Sequence, residues 1–454
     1  MLEDAVGEHG VDVDVLDEAR SRLTQVFATL AAQRAEGTLG FMDLPFDDVT
    51  VEEVLKTAAD LEGRFENMVI LGIGGSALGA TAIARSLSHP LHNMLDSDTR
   101  GGRPRIFILD NIDPDMVFAV ADYINIDKTL FNVVTKSGGT VETMAQLAIF
   151  QERLTAALGA DASDNVVATT TTGKGDLWAM AQDFGWRTLS IPENVGGRFS
   201  VLSSVGLFPA AMLGFDVQGL LGGAALMDRT CRSKDFEQSP SLAYAMLQYC
   251  LFRSGAPISI LMPYANALYD VADWYRQLWA ESLGKKYNFA GEVVHTGPTP
   301  VKALGTTDQH SQVQLYVEGP YDKSITFIEV AEFKTTAAIP VALAEYPSTA
   351  SVAGRSLNEL IAAEKKGTEV ALTEAGCPNG TLIMPAINEL TLGQLFYFFE
   401  MATAFSGALY GVNAFDQPGV EAGKIAAYAL LGVEKYAERK REIEKISAKN
   451  RKII

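Results

Sequence analysis

Two stretches of this 454-residue chain each run from an apolar strand into a glycine–hydroxyl turn and then open a helix. They are Met68-Val-Ile-Leu-Gly-Ile-Gly-Gly-Ser76 and Phe131-Asn-Val-Val-Thr-Lys-Ser-Gly-Gly-Thr140. The second packs Thr135, Lys136, Ser137, Thr140 and Thr143 into nine residues. Free N–H groups and the dipole at a helix N-terminus favour an anion. Hydroxyls add donors to phosphate oxygens, and glycines such as Gly75, beside Ser76, let the backbone come close. Two such turns in one α/β unit point to a small phosphorylated ligand held between them. The plainer alternative is ordinary turn chemistry, with Lys136 a solvated loop charge.

Other segments carry groups that could move protons or meet charge. Asn194-Val-Gly-Gly-Arg198-Phe-Ser200 sets an arginine after two glycines, where its guanidinium could oppose developing negative charge; a surface or ion-pair arginine is the alternative. Gln277 and Glu281 lie four apart within Tyr269–Leu283 and so share one helical face, crowded by Trp274, Tyr275, Leu278 and Trp279. Gly284 ends that helix, and desolvation together with the negative dipole end would raise the carboxylate's proton affinity towards that of a general base. His310 follows Gly305-Thr-Thr-Asp-Gln and is expected in the first turn of a helix capped by Thr307 or Asp308, where the dipole keeps an imidazole neutral. Lys424 is expected in an apolar helical stripe with Val420, Ala427 and Leu431, where it must snorkel, pair or serve chemistry.

The elements that position these residues alternate. Residues 11 to about 60 read as helical, from Val15, Leu16, Ala19, Leu23, Val26, Phe27 and Leu30 at helical spacing. Strand-like runs follow at Met68–Leu71, Arg105–Asp110, Phe131–Thr135, Val166–Thr170 and Thr188–Ile191, with helical patterns between them, the signature of βαβ units and a parallel sheet. Alternation resumes with a strand at Ile258–Met262, a helix over 267–283, an extended run Asn288–His295, and strands at Thr326–Glu329 and Thr381–Met384. The tail from Gly419 reads as one long helix.

Length and composition fit two α/β domains with helical additions. Apolar residues make up 48% of the chain, and 37 Lys+Arg against 56 Asp+Glu give a net charge of −19, which argues against nucleic acid or an anionic membrane as main partner. Cys231, Cys250 and Cys377 form no metal pattern, the five histidines include no ligand pair, and no signal peptide or membrane span is visible. A cytoplasmic protein is expected. Gly72-Ile-Gly-Gly-Ser-Ala77 also fits the dinucleotide pattern G-x-G-x-x-A, with Asp110 closing a later strand, so a NAD-dependent dehydrogenase is one rival reading.

Six blocks in order decide among these. Gly74-Gly-Ser76, Thr135-Lys-Ser-Gly-Gly-Thr140-Val-Glu-Thr143, Gly196-Gly-Arg198-Phe-Ser, Gln277-x-x-x-Glu281-Ser-x-Gly-Lys, Gly305-Thr-x-x-Gln-His310 and Phe415-Asp-Gln417-x-Gly-Val-Glu-x-Gly-Lys424 together resemble the phosphoglucose (glucose-6-phosphate) isomerase family. The resemblance implies two sugar-isomerase (SIS) type parallel-sheet αβα sandwich domains. They fall at 61–215 and 216–410, between an N-terminal helical segment (1–60) and a C-terminal helical tail (411–454). It implies a phosphosugar substrate, a homodimer, and no metal or cofactor. Gly75, Ser76, Thr135, Lys136, Ser137, Thr140 and Thr143 match the phosphate site. Glu281 matches the base that moves a proton between C2 and C1, and Arg198 the group that stabilises the cis-enediolate. His310, from the neighbouring subunit, and Lys424 match residues assisting ring opening and closing. Gln277 and Gln417 match substrate-contacting amides. A non-catalytic phosphosugar-binding SIS protein is the rival from another class; it would keep Ser76 and Thr140 with little reason to keep Glu281, Arg198 and His310.

Overall fold

A computed structural model of the chain describes residues 6–450. Its first sheet is built from β1 (Asn67–Leu71), β2 (Arg105–Leu109), β3 (Thr129–Val134), β4 (Val166–Thr170) and β5 (Arg187–Ser190). The strands are all parallel, in the order β2-β1-β3-β4-β5. β1, β3 and β4 are buried throughout, which is why they read as apolar-rich runs rather than alternating ones, with Asn132 and Thr169 as buried polar members. Val69, Leu71, Phe131, Val133, Val166 and Ala168 pack with Leu147, Phe150 and Leu154 of the helix Val141–Leu158 in one core.

The strand order decides where a ligand can go. From β1 the chain moves one way to β2, then returns past β1 to β3 and onward. That reversal opens a crevice beyond the carboxyl ends of β1 and β3. Both glycine–hydroxyl turns leave from those two ends.

The second sheet contains β6 (Ile258–Pro263), β9 (Thr299–Lys302), β10 (Lys323–Glu332) and β11 (Asn379–Ala386), parallel and ordered β11-β10-β6-β9. Ile260, Met262, Ile325 and Phe327 form its core with Tyr316, Leu372 and Cys377. A two-stranded antiparallel ribbon, β7 (Lys285–Tyr287) with β8 (Val293–Thr296), takes the place of the single extended run expected at Asn288–His295. Asn288 and Glu292 close its turn, the Asn288 N–H donating to the Glu292 carbonyl at 3.0 Å. β9 was not expected, since Pro300 breaks its strand signature; its place beyond β6 leaves the Pro300 nitrogen without a ladder bond to make.

The helix Glu389–Tyr410 is the hub. It is buried from Thr391 through Gly407 except at Gln394, and packs on the helices Val217–Cys231, Pro240–Arg253 and Tyr269–Leu283. Gly393 lets it approach closely, for a Cβ there would lie 1.9 Å from the Leu220 carbonyl oxygen.

Two other expectations change. The N-terminal helical stretch is two helices, Val13–Ala35 and Asp48–Leu61, separated by short turns around Pro45. The tail is not one helix: Gly432, at φ +85°, breaks it into Glu421–Leu430 and Ala437–Asn450. The described residues up to Ala414 form one compact unit and those from Phe415 a second. Among the described residues, no helix is long and apolar enough to cross a membrane.

Candidate active site

The turn after β1 is a 3-10 turn, Gly74–Ser76, leading into the helix Leu78–Leu87. Its tightness is set by a neighbour far away in sequence. A Cβ on Gly75 would stand 2.2 Å from the Gly197 carbonyl oxygen, so only glycine admits the turn that carries Arg198. Ser200 bridges the two backbones, its Oγ donating to the Gly197 carbonyl at 2.7 Å and to the Gly75 carbonyl at 3.3 Å. Gly74 has φ +56°, and its missing Cβ leaves room for the Gln277 amide.

The turn after β3 is held by its own hydroxyls. Thr135 Oγ1 lies 2.8 Å from Thr140 Oγ1 and 3.3 Å from Ser137 Oγ, and Ser137 Oγ accepts from the Gly139 N–H at 3.4 Å. Thr170 Oγ1 donates to the Thr135 carbonyl at 2.6 Å, tying the turn to β4. Gly138, at φ +71°, packs against Gly175, where any Cβ would collide. Thr140 precedes the helix Val141–Leu158 but gives its N-terminus no side-chain cap; its hydroxyl is spent on Thr135 and Ser137. Ser76 and Lys136 are half-buried, Ser137 exposed, and Thr135 and Thr143 fully buried. Burial holds the Lys136 ammonium below the usual lysine range, partly offset by the Glu193 carboxylate. Two turns of donors at adjacent strand ends, with a lysine among them, can hold a phosphate.

Glu281 and Arg198 meet at the other side of the Gly75 turn. Arg198 is 3% exposed. Its Nε donates to Ser282 Oγ at 2.6 Å, its Nη2 to the Ala414 carbonyl at 2.5 Å, and its Nη1 stands 3.5 Å from Glu281 Oε1. Gln277 Nε2 donates to Glu281 Oε2 at 2.9 Å, one helical turn away as their spacing requires. Lys285 Nζ donates to the Glu281 carbonyl at 2.8 Å, capping the helix end. The result is a carboxylate with one oxygen facing a buried cation and the other held by an amide. That arrangement can take a proton from carbon and shield the negative charge that follows.

His310 is not brought to this pair by any hydrogen bond or ion pair among the described residues. It is exposed and ends a 3-10 turn, Thr307–His310, which has no side-chain cap; it does not begin a capped helix as expected, because Asp308 instead accepts from the Leu304 N–H and from Ser311. Lys424 belongs to the second compact unit, 59% exposed at its side chain, with Nζ 2.9 Å from Glu421 Oε1. The stripe expected to bury it is open, with Val420 43% and Leu431 75% exposed, so pairing replaces burial. Gln417 precedes the Pro418–Val420 turn of that unit. Sequence reasoning missed Ser282 as the seat of Arg198, although it adjoins Glu281, and Lys285 as the helix-end donor.

Known proteins resemble this chain over nearly its whole length. The glucose-6-phosphate isomerase of Carboxydothermus hydrogenoformans is 44% identical over 440 residues, 97% of this chain and 95% of the relative. A solved structure of a hypothetical protein from Thermus thermophilus superposes with a TM-score of 0.82 at 37% identity, covering 95% of this chain and 97% of that one. A glucose-6-phosphate isomerase from Chlamydia trachomatis superposes with a TM-score of 0.73 at 26% identity, covering 87% of this chain and 76% of that one. The fold is the expected α/β class with SIS-type parallel sheets. The family model described as phosphoglucose isomerase matches residues 56–449, a span that holds both hydroxyl turns, the Arg198–Glu281 pair, His310 and Lys424, and on that match the chain belongs to the phosphoglucose isomerase family.

Proposed function

We propose that this chain catalyses the reversible isomerisation of glucose-6-phosphate and fructose-6-phosphate, the step shared by glycolysis and gluconeogenesis, through ring opening and a cis-enediolate. The observation that carries the reading is the Arg198–Glu281 pair. An aldose–ketose isomerase needs one base that reaches two adjacent carbons and a cation that does not move while charge develops beside it. Glu281 takes the proton from C2 and returns it at C1. Arg198, buried and fixed to Ser282 and Ala414, opposes the enediolate oxygen. Gln277 keeps one Glu281 oxygen in place, and its own Oε1, buried with no partner among the described residues, is an acceptor for a sugar hydroxyl.

The phosphate is assigned to Gly75, Ser76, Thr135, Lys136, Ser137, Thr140 and Thr143, remote from the reacting carbons, so that its binding energy positions the sugar. His310 and Lys424 are assigned to proton transfer at the ring oxygen and Gln417 to a substrate contact, on the ordered motifs. With no bond or ion pair joining His310 to Glu281 among the described residues of one protomer, we assign His310 to the neighbouring subunit's site in a cytoplasmic homodimer. A purely binding SIS protein has no use for a carboxylate set against a buried arginine, and a dinucleotide site leaves the Thr135–Thr143 turn without a role.

The test is hydrogen exchange. Glucose-6-phosphate formed from fructose-6-phosphate in D2O is expected to carry deuterium at C2, and Glu281→Gln to bind the sugar phosphate while losing that incorporation. Parental incorporation in Glu281→Gln would remove Glu281 as the base.

A further inference from the structure

We propose that Tyr264 and Gln309, with Glu364, form a clamp that positions His310 for ring opening; the proposal rests on the assignment of His310 given above. The segment that carries His310 has little regular structure to hold it. It leaves the end of β9 at Ala303 and makes only the uncapped turn Thr307–His310. His310 makes no side-chain hydrogen bond among the described residues, so its place is set by the backbone beneath it. Besides its own main-chain bonds, that backbone is tied down by two sets of side-chain bonds.

The first tie is internal. Asp308 Oδ2 accepts from the Leu304 N–H at 2.7 Å, and Asp308 Oδ1 accepts from Ser311 Oγ at 2.5 Å, drawing the turn into a loop around one carboxylate. The second tie is external and sits next to His310 in sequence. Gln309 Oε1 accepts from the Tyr264 hydroxyl at 2.9 Å, while Gln309 Nε2 donates to Glu364 Oε2 at 2.9 Å. Both ends of one amide are therefore used, one on each neighbouring element.

Tyr264 is the rigid member. It directly follows β6, is 2% exposed, and meets the Phe327 ring edge-on at a centroid distance of 5.8 Å. Its N–H donates to the Ile328 carbonyl at 2.9 Å, continuing the sheet. Gly305 lies flat against the same ring, where a Cβ would come within 2.4 Å of it. One side chain thus seats the start of the turn through its ring and the end of the turn through its hydroxyl. Glu364 stands on the helix Leu357–Glu374, and His310 lies beside that helix with Val313, Gly367 and Ala371. A general acid or base loses rate steeply when it is displaced by about 1 Å, so a residue that fixes the turn is a positioning residue for the step His310 serves.

The clamp is tested by anomer interconversion of glucose-6-phosphate, which needs ring opening but no proton transfer between carbons. Exchange NMR gives its rate, and Kd and Tm are measured on the same full-length proteins. Tyr264→Phe and Gln309→Leu are each expected to slow anomer interconversion about tenfold while keeping the parental Kd for glucose-6-phosphate and the parental Tm. His310→Asn is measured beside them. If His310→Asn is slowed and both clamp variants keep the parental rate, the clamp is overturned. If His310→Asn itself keeps the parental rate, the assignment of His310 falls and the clamp with it. A change in Kd or Tm large enough to account for the slowing would make these contacts structural only and would equally overturn the proposal.

Discussion

A base that shuttles a proton between neighbouring carbons must be held near its work without being locked to one oxygen. The base proposed here, Glu281, would be held through unequal partners: an amide at 2.9 Å on one oxygen and a guanidinium at 3.5 Å on the other. Glu281→Gln is expected to lower kcat by about 10³-fold with sugar-phosphate binding retained, read from steady-state kinetics and a binding isotherm. Arg198 is harder to replace, because its donors diverge to Ser282, Ala414 and Glu281. A lysine offers a point charge without the fork, so Arg198→Lys is expected to lower kcat by about 10²-fold or more and to leave the buried Ala414 carbonyl short of a donor. That Gln277 and Glu281 face each other was legible from their helical spacing. Ser282 was not, since nothing in a serine's type says that an arginine 84 positions earlier will rest on it.

At the scale of elements, the site depends on turns pressed together more closely than a side chain allows. The glycines after β1 could be read as a phosphate turn, a tight structural turn or a dinucleotide fingerprint, and sequence left these open. Contact decides why Gly75 is glycine: the Gly197 carbonyl occupies the place of its Cβ. Gly75→Ala is expected to destabilise the protein by about 1–3 kcal/mol, as overpacking does, and to lower kcat by displacing the Arg198 turn. Thermal unfolding and steady-state kinetics of the one variant check both effects. Strand positions were readable because buried parallel strands are rich in apolar residues on both faces. The short strand at Thr299–Lys302 and the break at Gly432 were not, the first for its proline and the second because a C-cap glycine inside an apolar pattern resembles an ordinary helical residue.

For the whole molecule, the hub helix carries an ionisable group at its centre. Glu400 is 0% exposed, and neither carboxyl oxygen has a hydrogen-bond partner among the described residues. Burial pushes its pKa well above the ordinary value of 4.5, so the folded protein holds it neutral. The unfolded chain releases that proton above about 4.5 while the folded chain keeps it. Folded stability is therefore lost as pH rises from there towards the raised pKa, by about 1.4 kcal/mol per pH unit. Glutamine has no proton to lose, so the stability of Glu400→Gln relative to the parent is expected to rise between pH 4 and pH 8 in denaturant titrations. A gap that stays constant with pH would mean that the carboxyl is already ionised in the fold. Long-range placement was the least legible part of the chain: the order of six motifs pointed to the family and the reaction, while the seat of Arg198 on Ser282 and the Ala414 carbonyl emerged only from the fold. The reaction itself is tested most directly by incubating the purified chain with fructose-6-phosphate, in EDTA and without nucleotide, and following glucose-6-phosphate. Rapid, reversible formation is the expected result; no product, with fructose-6-phosphate still bound tightly, would contradict it and leave a binding protein in place of an isomerase.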